Sequence, residues 1–179
     1  MDHESEGREQ LTRFDISLAN QQHTHAVNEL QLIEAARAVL RDSEYSSAAI
    51  SLAVVDDPTI HKLNRRHLNH DWPTDVLSFC LEEQNRHLEG EVVISADMAA
   101  AAAKELGNSA GNEQLLYVIH GMLHLIGYDD ATSGDKQQMR SAEARYLREF
   151  GFAPDAPSDR ENTANSAISN GLATRRSAP

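Results

Sequence analysis

Hydrophobic residues recur along this chain with two different periods, which predict strands and helices in alternation. Alternating residues such as Phe14, Ile16 and Leu18, and short apolar runs between polar residues, are typical of strands. Longer segments carry apolar residues three and four apart and end near a glycine, which is typical of helices. The predicted strands are 14–18, 48–55, 75–81 and 90–95, and the predicted helices are 30–40, one beginning at Asp57, 96–107, 112–126 and 135–150.

This order of elements predicts a single α/β (α+β) domain over residues 11–152. We expect a small mixed β-sheet of about four strands packed with about five helices, since the hairpin-like pair of strands interrupts the alternation of strand and helix. Residues 1–10 are polar, and the tail 153–179 is rich in Ala, Pro, Ser and Asn without periodicity. Both terminal segments are therefore predicted to be disordered.

Composition narrows the classes of function. The chain has 28 acidic and 16 basic residues and a net charge of -12, which argues against a broadly basic nucleic-acid-binding protein but leaves room for a local basic cleft. The one cysteine, Cys80, cannot form an intramolecular disulfide, so we expect a reducing, cytoplasmic compartment. Any metal site must then be built from histidine and carboxylate. No apolar run approaches the roughly 18 residues of a membrane span, so no membrane partner is expected.

The segment IHGMLHLIGYDD, residues 119–130, contains the candidate chemistry. His120 and His124 are four residues apart on a predicted helix, so both rings lie on one face and can share one ion. The helix ends at Gly127, where the chain can reverse and bring Asp130 back to the same ion. His120, His124 and Asp130 are therefore the candidate metal ligands, at the end of a helix.

Other interpretations of this segment stay open at the level of sequence. Two histidines four apart on a helix also occur as boundary residues without a ligand, and Asp129 and Asp130 can be solvated turn residues. In peptidases with an HExxH motif, the residue after the first histidine is the glutamate that acts as general base. That residue is Gly121 here, which disfavours a peptidase. A metal that activates water directly remains compatible with the segment.

The segment HGMLHLIGYDD is similar to the H-G-x-L-H-L-x-G-Y-D-H signature of the YbeY family of rRNA maturation factors. The segments LNRRHLNHDWPTDVLSF (63–79) and GEVVIS (90–95), and the order of the elements, fit the same family. The resemblance implies one metal ion, usually zinc (Zn2+), in a single α/β domain. It also implies an endoribonuclease specific for single-stranded RNA, not DNA, that acts on rRNA of the small ribosomal subunit and in ribosome quality control.

The chain departs from the family pattern at several positions, two of which the resemblance implies to be functional. His120 and His124 match the first two ligands, but Asp130 stands where the resemblance implies a third histidine. A carboxylate in place of an imidazole lowers the charge of the metal centre by one unit, although two histidines and a carboxylate hold zinc in active hydrolases. Leu68 stands where the resemblance implies a functional arginine, and leucine cannot contact phosphate as a guanidinium does.

These departures leave two functions open. In the first, the chain is a metal-dependent endoribonuclease in which His120, His124 and Asp130 are both metal ligands and catalytic residues. Arg65, Arg66 and His70 are then the candidate RNA-binding residues, because they lie near Leu68 in the sequence and can supply positive charge. In the second, the chain is a metal-stabilised ribosome-assembly factor with weak or no nuclease activity.

Overall fold

The computed structural model describes residues 13–68 and 70–152, so the predicted disorder of residues 1–10 and 153–179 lies outside the described residues. The described chain contains four strands and five helices, in the order and with the bounds β1 (Arg13–Asn20), α1 (Glu29–Arg41), β2 (Ser47–Val55), α2 (Asp57–Leu68), β3 (Val76–Gln84), β4 (His87–Ser95), α3 (Ala96–Leu106), α4 (Ala110–Leu125) and α5 (Ser133–Glu149). The predicted fold class, a small mixed sheet packed with helices, is confirmed.

The strands form one sheet in the order β1-β2-β4-β3. β1 and β4 both run parallel to β2, whereas β3 is antiparallel to β4 and forms one edge. Asn85 and Arg86 join β3 to β4 with positive φ angles of 51° and 61°, as a two-residue hairpin turn requires. The predicted strand bounds 75–81 and 90–95, which left residues 82–89 as a loop, are therefore wrong. The polar residues of this segment extend both strands, because an edge strand exposes side chains while its backbone still pairs.

Helix α4 lies at the centre of the domain. It packs on β3 and β4 and also contacts α1, α3 and α5. Residues from Glu113 to Leu123 are all buried except Leu116, so the helix is covered on more than the single apolar face that a surface helix has. A helix covered on several sides has little solvent-facing surface, so its polar residues must find partners inside the protein.

Helix α2 covers the other face of the sheet. Ile60 of α2 is buried in a second apolar cluster with Val55, Leu77 and Val93 of the strands. α1 and α4 instead belong to the main core on the opposite face. None of the described helices is both long enough and apolar enough to cross a membrane.

Candidate metal centre

The two histidines of α4 place one nitrogen each at a common point. The Nε2 atoms of His120 and His124 are 2.9 Å apart, and the two rings meet edge to face with centroids 4.6 Å apart. Two nitrogen ligands of one tetrahedral zinc ion, each about 2.0–2.1 Å from it, are about 3.3 Å apart. The paired rings therefore already approximate the spacing of a shared ion.

The second nitrogen of each ring has a fixed acceptor. Nδ1 of His120 lies 2.6 Å from Oε1 of Glu143, and Nδ1 of His124 lies 3.0 Å from the carbonyl oxygen of Tyr128. Carboxylate and carbonyl oxygens accept hydrogen bonds, so each Nδ1 carries a proton and donates it. Both Nε2 atoms then face each other with a lone pair. Such an arrangement requires a shared cation, either a proton or a metal ion.

The third predicted ligand lies at the same point. A carboxylate oxygen of Asp130 and one nitrogen of each histidine all lie within 4.8 Å of one another. Asp130 reaches this position because α4 ends at Leu125 with Ile126 as its C-cap, and Gly127 follows with a φ of 101°, which reverses the chain. Two imidazoles and one carboxylate form a donor set suited to zinc. The three residues predicted from sequence are thus brought together, and the donor set fits one divalent ion.

The two rings differ in their affinity for a proton. Burial acts to lower the pKa of His120, but the hydrogen bond and the charge of Glu143 outweigh it and raise the pKa above its ordinary value. Burial lowers the pKa of His124, and the positive charge of His120 lowers it further. A proton shared by the two Nε2 atoms is therefore held more strongly by His120 than by His124.

Glu143 is the functional residue that the sequence analysis missed. It lies on α5, 23 residues after His120, so only the packing of α5 on α4 brings the two together. Metal-binding histidines commonly donate their second ring N–H to a carboxylate, which fixes the ring and raises its basicity. A signal was present in the sequence, because Glu143 follows the buried Met139 by four residues and so lies on the apolar face of α5.

Gly121 explains why no glutamate follows His120. A Cβ atom at this position would lie 2.6 Å from Cγ1 of Val92 and 2.9 Å from Oγ of Ser78. The Ser78 hydroxyl also donates a 3.1 Å hydrogen bond to the Gly121 carbonyl. The close approach of α4 to β3 and β4 therefore leaves no space for the side chain that a peptidase of the HExxH type needs. The same contact fixes the position of both histidines relative to the sheet.

The predicted RNA-binding residues lie on a different element from the metal ligands. Arg65 and Arg66 are exposed in the last turn of α2, and His70 is half-buried in the loop that follows. Arg65 lies 3.9 Å from the carboxylate of Asp71. The loop then leads to Asp75, whose pKa is raised by burial and lowered in part by the charge of His120. A Cβ atom on Gly121 would lie 3.1 Å from Cγ2 of Val76, so the start of β3 lies beside the turn of α4 that carries His120. The basic end of α2 leads along the chain to this strand.

Leu68 has a structural position instead of a catalytic one. Its side chain packs against the second apolar cluster, together with Leu63 and Phe79. Leucine at this position thus extends the core beneath α2, and it offers no donor to a phosphate.

The fold and the site define a class of protein, a small mixed α/β domain with a candidate histidine–carboxylate metal centre at the end of its central helix. The family model described as Endoribonuclease YbeY matches residues 17–151. Proteins named Endoribonuclease YbeY are similar to this chain in Desulfitobacterium hafniense, 40% identical over 127 residues (65% of this chain and 81% of the relative), and in Syntrophotalea carbinolica, 38% identical over 136 residues (72% and 91%). The chain belongs to the YbeY family.

A solved structure has a similar fold. The solution structure of TM1509 from Thermotoga maritima is similar to this chain with a TM-score of 0.54 and 26% sequence identity, and the match covers 76% of this chain and 87% of the other.

Proposed function

We propose that this chain is a metal-dependent endoribonuclease that cuts single-stranded RNA, and that it matures rRNA of the small ribosomal subunit in the cytoplasm. Its relatives are named endoribonucleases, and that supports a hydrolase acting on RNA. The observation that carries the metal dependence is the pair of histidine Nε2 atoms 2.9 Å apart, with a carboxylate of Asp130 beside them.

His120, His124 and Asp130 would hold the ion, for which zinc is the best match to the donor set. When bound, such an ion supplies a positive centre that polarises a phosphate oxygen and makes water more acidic. The protein's own contribution is orientation. Glu143 and the carbonyl of Tyr128 hold the two rings with Nε2 toward the site, so no ring has to rotate for binding.

The RNA strand needs positive charge that the metal centre does not supply. Arg65 and Arg66 are exposed at the end of α2, and His70 lies on the path from α2 to the site. We assign these residues to the RNA backbone, because lysine and arginine contacts to phosphate provide most of the affinity for a nucleic acid. A chain with a net charge of -12 has weak general affinity for RNA and depends on this local region.

One observation favours a second function, a metal-stabilised ribosome-assembly factor with weak or no nuclease activity. The side chain of Leu68 packs in the core, so the position of the implied arginine supplies no charge to a reacting phosphate. In this alternative the metal ion stabilises the packing of α4 and α5, and RNA is bound without being cut.

An assay of metal content and RNA cleavage separates the two functions. The purified chain is incubated with a labelled single-stranded RNA, with and without a chelator, and zinc is then added back. His120→Ala is compared with His23→Ala, which removes an exposed histidine in the segment between β1 and α1. We expect cleavage that the chelator abolishes, that added zinc restores, and that only His120→Ala loses.

The other outcomes are equally informative. Stoichiometric metal with no cleavage would favour the assembly factor. Cleavage that survives both the chelator and His120→Ala would show that this centre is not the site of the reaction.

A further inference from the structure

The loop between α2 and β3 presents an aromatic pair just before the strand that packs against the turn of α4 carrying His120. The rings of His70 and Trp72 are stacked, with centroids 4.6 Å apart and an angle of 13° between their planes. Trp72 nevertheless remains 43% exposed, which is unusual for the largest apolar side chain of a small domain. One face of the indole thus has a protein partner, and much of the rest is available to a ligand.

The backbone of Trp72 is held in place. The buried side chain of Asn64 on α2 donates a 2.7 Å hydrogen bond to the carbonyl oxygen of Trp72. Pro73 follows directly and restricts the backbone of the residue before it to extended conformations. The indole is therefore presented from an anchored segment, which reduces the entropy lost when a ligand stacks on it.

The surroundings of the pair favour a nucleic acid over other flat ligands. The exposed Arg65, Arg66 and His67 form the basic last turn of α2, which leads directly into this loop. Four residues beyond Trp72, Val76 begins β3 and lies against the turn of α4 that carries His120, since a Cβ atom on Gly121 would lie 3.1 Å from Cγ2 of Val76. Along the chain, the aromatic surface follows a basic turn and precedes the strand beside the candidate metal centre. This order suits an unpaired base whose phosphates continue from the basic turn toward the candidate site of cleavage.

We propose that Trp72, backed by His70, is a stacking platform for one unpaired nucleobase of the RNA strand, next to the site of cleavage. The proposal rests on the proposed function and specifies how that site selects its substrate. Bases in a duplex are already paired and stacked, so they cannot lie against an indole, whereas those of a single strand can. The platform would therefore select single strands by stacking and would accept any base.

Trp72 is the only tryptophan of the chain, so its fluorescence reports directly on the platform. Binding of a labelled single-stranded RNA is measured by anisotropy, in chelator and at pH 8, together with the quenching of Trp72. The chelator keeps the RNA intact, so binding is observed independently of cleavage. The same measurements use a duplex of equal length, the variants Trp72→Ala and Trp72→Phe, and the control Leu30→Ala. Leu30 is an exposed apolar residue of α1, on the opposite side of the sheet.

We expect the single strand to quench Trp72 and the duplex to leave its fluorescence unchanged. Trp72→Ala should weaken single-strand binding about tenfold, or about 1.4 kcal/mol, within the ~1–3 kcal/mol range of base stacking on an aromatic residue. Trp72→Phe should retain most of the affinity, and Leu30→Ala all of it. Thermal melting of each variant identifies any loss that is due to misfolding.

RNA binding that neither quenches Trp72 nor weakens in Trp72→Ala would overturn the platform and leave the proposed function intact. A duplex that quenches as strongly as the single strand would also overturn it. If no RNA binds in chelator, the platform is wrong, and the chelator-sensitive cleavage assay decides separately whether the proposed function stands.

Discussion

The metal centre and the α2–β3 loop meet at the start of β3, yet they are built in opposite ways. His120 is only 7% exposed, and its ring is held by the hydrogen bond that it donates to Glu143 on another helix. Trp72 and the arginines of α2 are exposed, and their contacts are few and local. The difference shows which task each region is suited to. Groups that must converge on one ion are fixed by burial, whereas groups that follow a flexible strand remain in solvent.

This contrast has an energetic consequence. A buried group that loses its partner leaves a desolvated polar atom behind, so a single substitution in the metal centre has a steep cost. An exposed charge contributes little by itself and is screened by salt. We therefore expect the effects of substitution to fall from the metal ligands, through the residues that orient them, to the arginines of α2.

The largest effect is expected for Asp130→Ala. It removes one of three ligand groups that lie within 4.8 Å of one another. Zinc affinity, measured by competition with a chromophoric chelator, should fall by more than about 100-fold. This loss exceeds the ~10–100-fold loss expected when a residue that only orients a metal ligand is removed.

Asp129→Asn is the matched control, because it removes one charge at the adjacent residue. Asp129 accepts a 2.7 Å hydrogen bond from the backbone N–H of Asp130, and an asparagine oxygen can retain this bond. Equal losses in Asp130→Ala and Asp129→Asn would mean that charge near the ion matters and that Asp130 is not a ligand.

The next largest effect is expected for Glu143→Ala. Without the carboxylate, Nδ1 of His120 loses its acceptor and the ring is no longer held with Nε2 toward the ion. Zinc affinity should fall about 10–100-fold. Glu143→Gln should recover much of the loss, because an amide oxygen still accepts from Nδ1.

Glu149→Ala serves as the control on the same helix, since Glu149 bonds to Arg41 and not to a metal ligand. The melting temperature of the metal-free proteins separates a loss of orientation from a loss of folding. If Glu143→Ala and Glu149→Ala bind zinc with the same affinity, the hydrogen bond between His120 and Glu143 has no part in holding the metal.

The contrast between the regions also determines what the sequence could reveal. The elements were predictable because their periodicity is local, and the Gly127, Gly107 and Gly151 that follow the last helices all have positive φ angles. The His120, His124 and Asp130 set was predictable for the same reason, since one helix and one turn bring the three residues together. Leu30 begins the predicted helix 30–40 as an apolar residue, but it is 69% exposed, whereas residues such as Leu32 and Val39 of α1 meet the core.

Tertiary contacts could not be predicted from the spacing of residues. Glu143 reaches His120 only after α5 packs on α4. Gly121 is required because Val92 and Ser78 of the sheet lie too close to it for a side chain, and the sequence alone does not show this contact. Pairing of polar residues in the β3–β4 hairpin was missed because edge strands lack the apolar signal that identifies buried strands.

The smallest effect is expected for the double variant Arg65→Ala/Arg66→Ala, which tests the exposed side of the comparison. Both guanidinium groups are solvent-exposed, so their removal should leave zinc affinity and the melting temperature nearly unchanged. Affinity for single-stranded RNA should fall about fivefold at low salt. Each lost phosphate contact on a single strand should also make the slope of log affinity against log salt shallower by about 0.7.

Arg41→Ala/Arg148→Ala removes the same two charges from the ends of α1 and α5, on the opposite side of the sheet. A general effect of net charge would weaken RNA binding equally in both double variants, because both change the charge of the chain by the same amount. If the bound RNA strand passes along α2, the affinity for RNA should fall only in Arg65→Ala/Arg66→Ala. If the salt slope stays unchanged in Arg65→Ala/Arg66→Ala, the phosphates are bound elsewhere, and the path from the end of α2 to the metal centre is wrong.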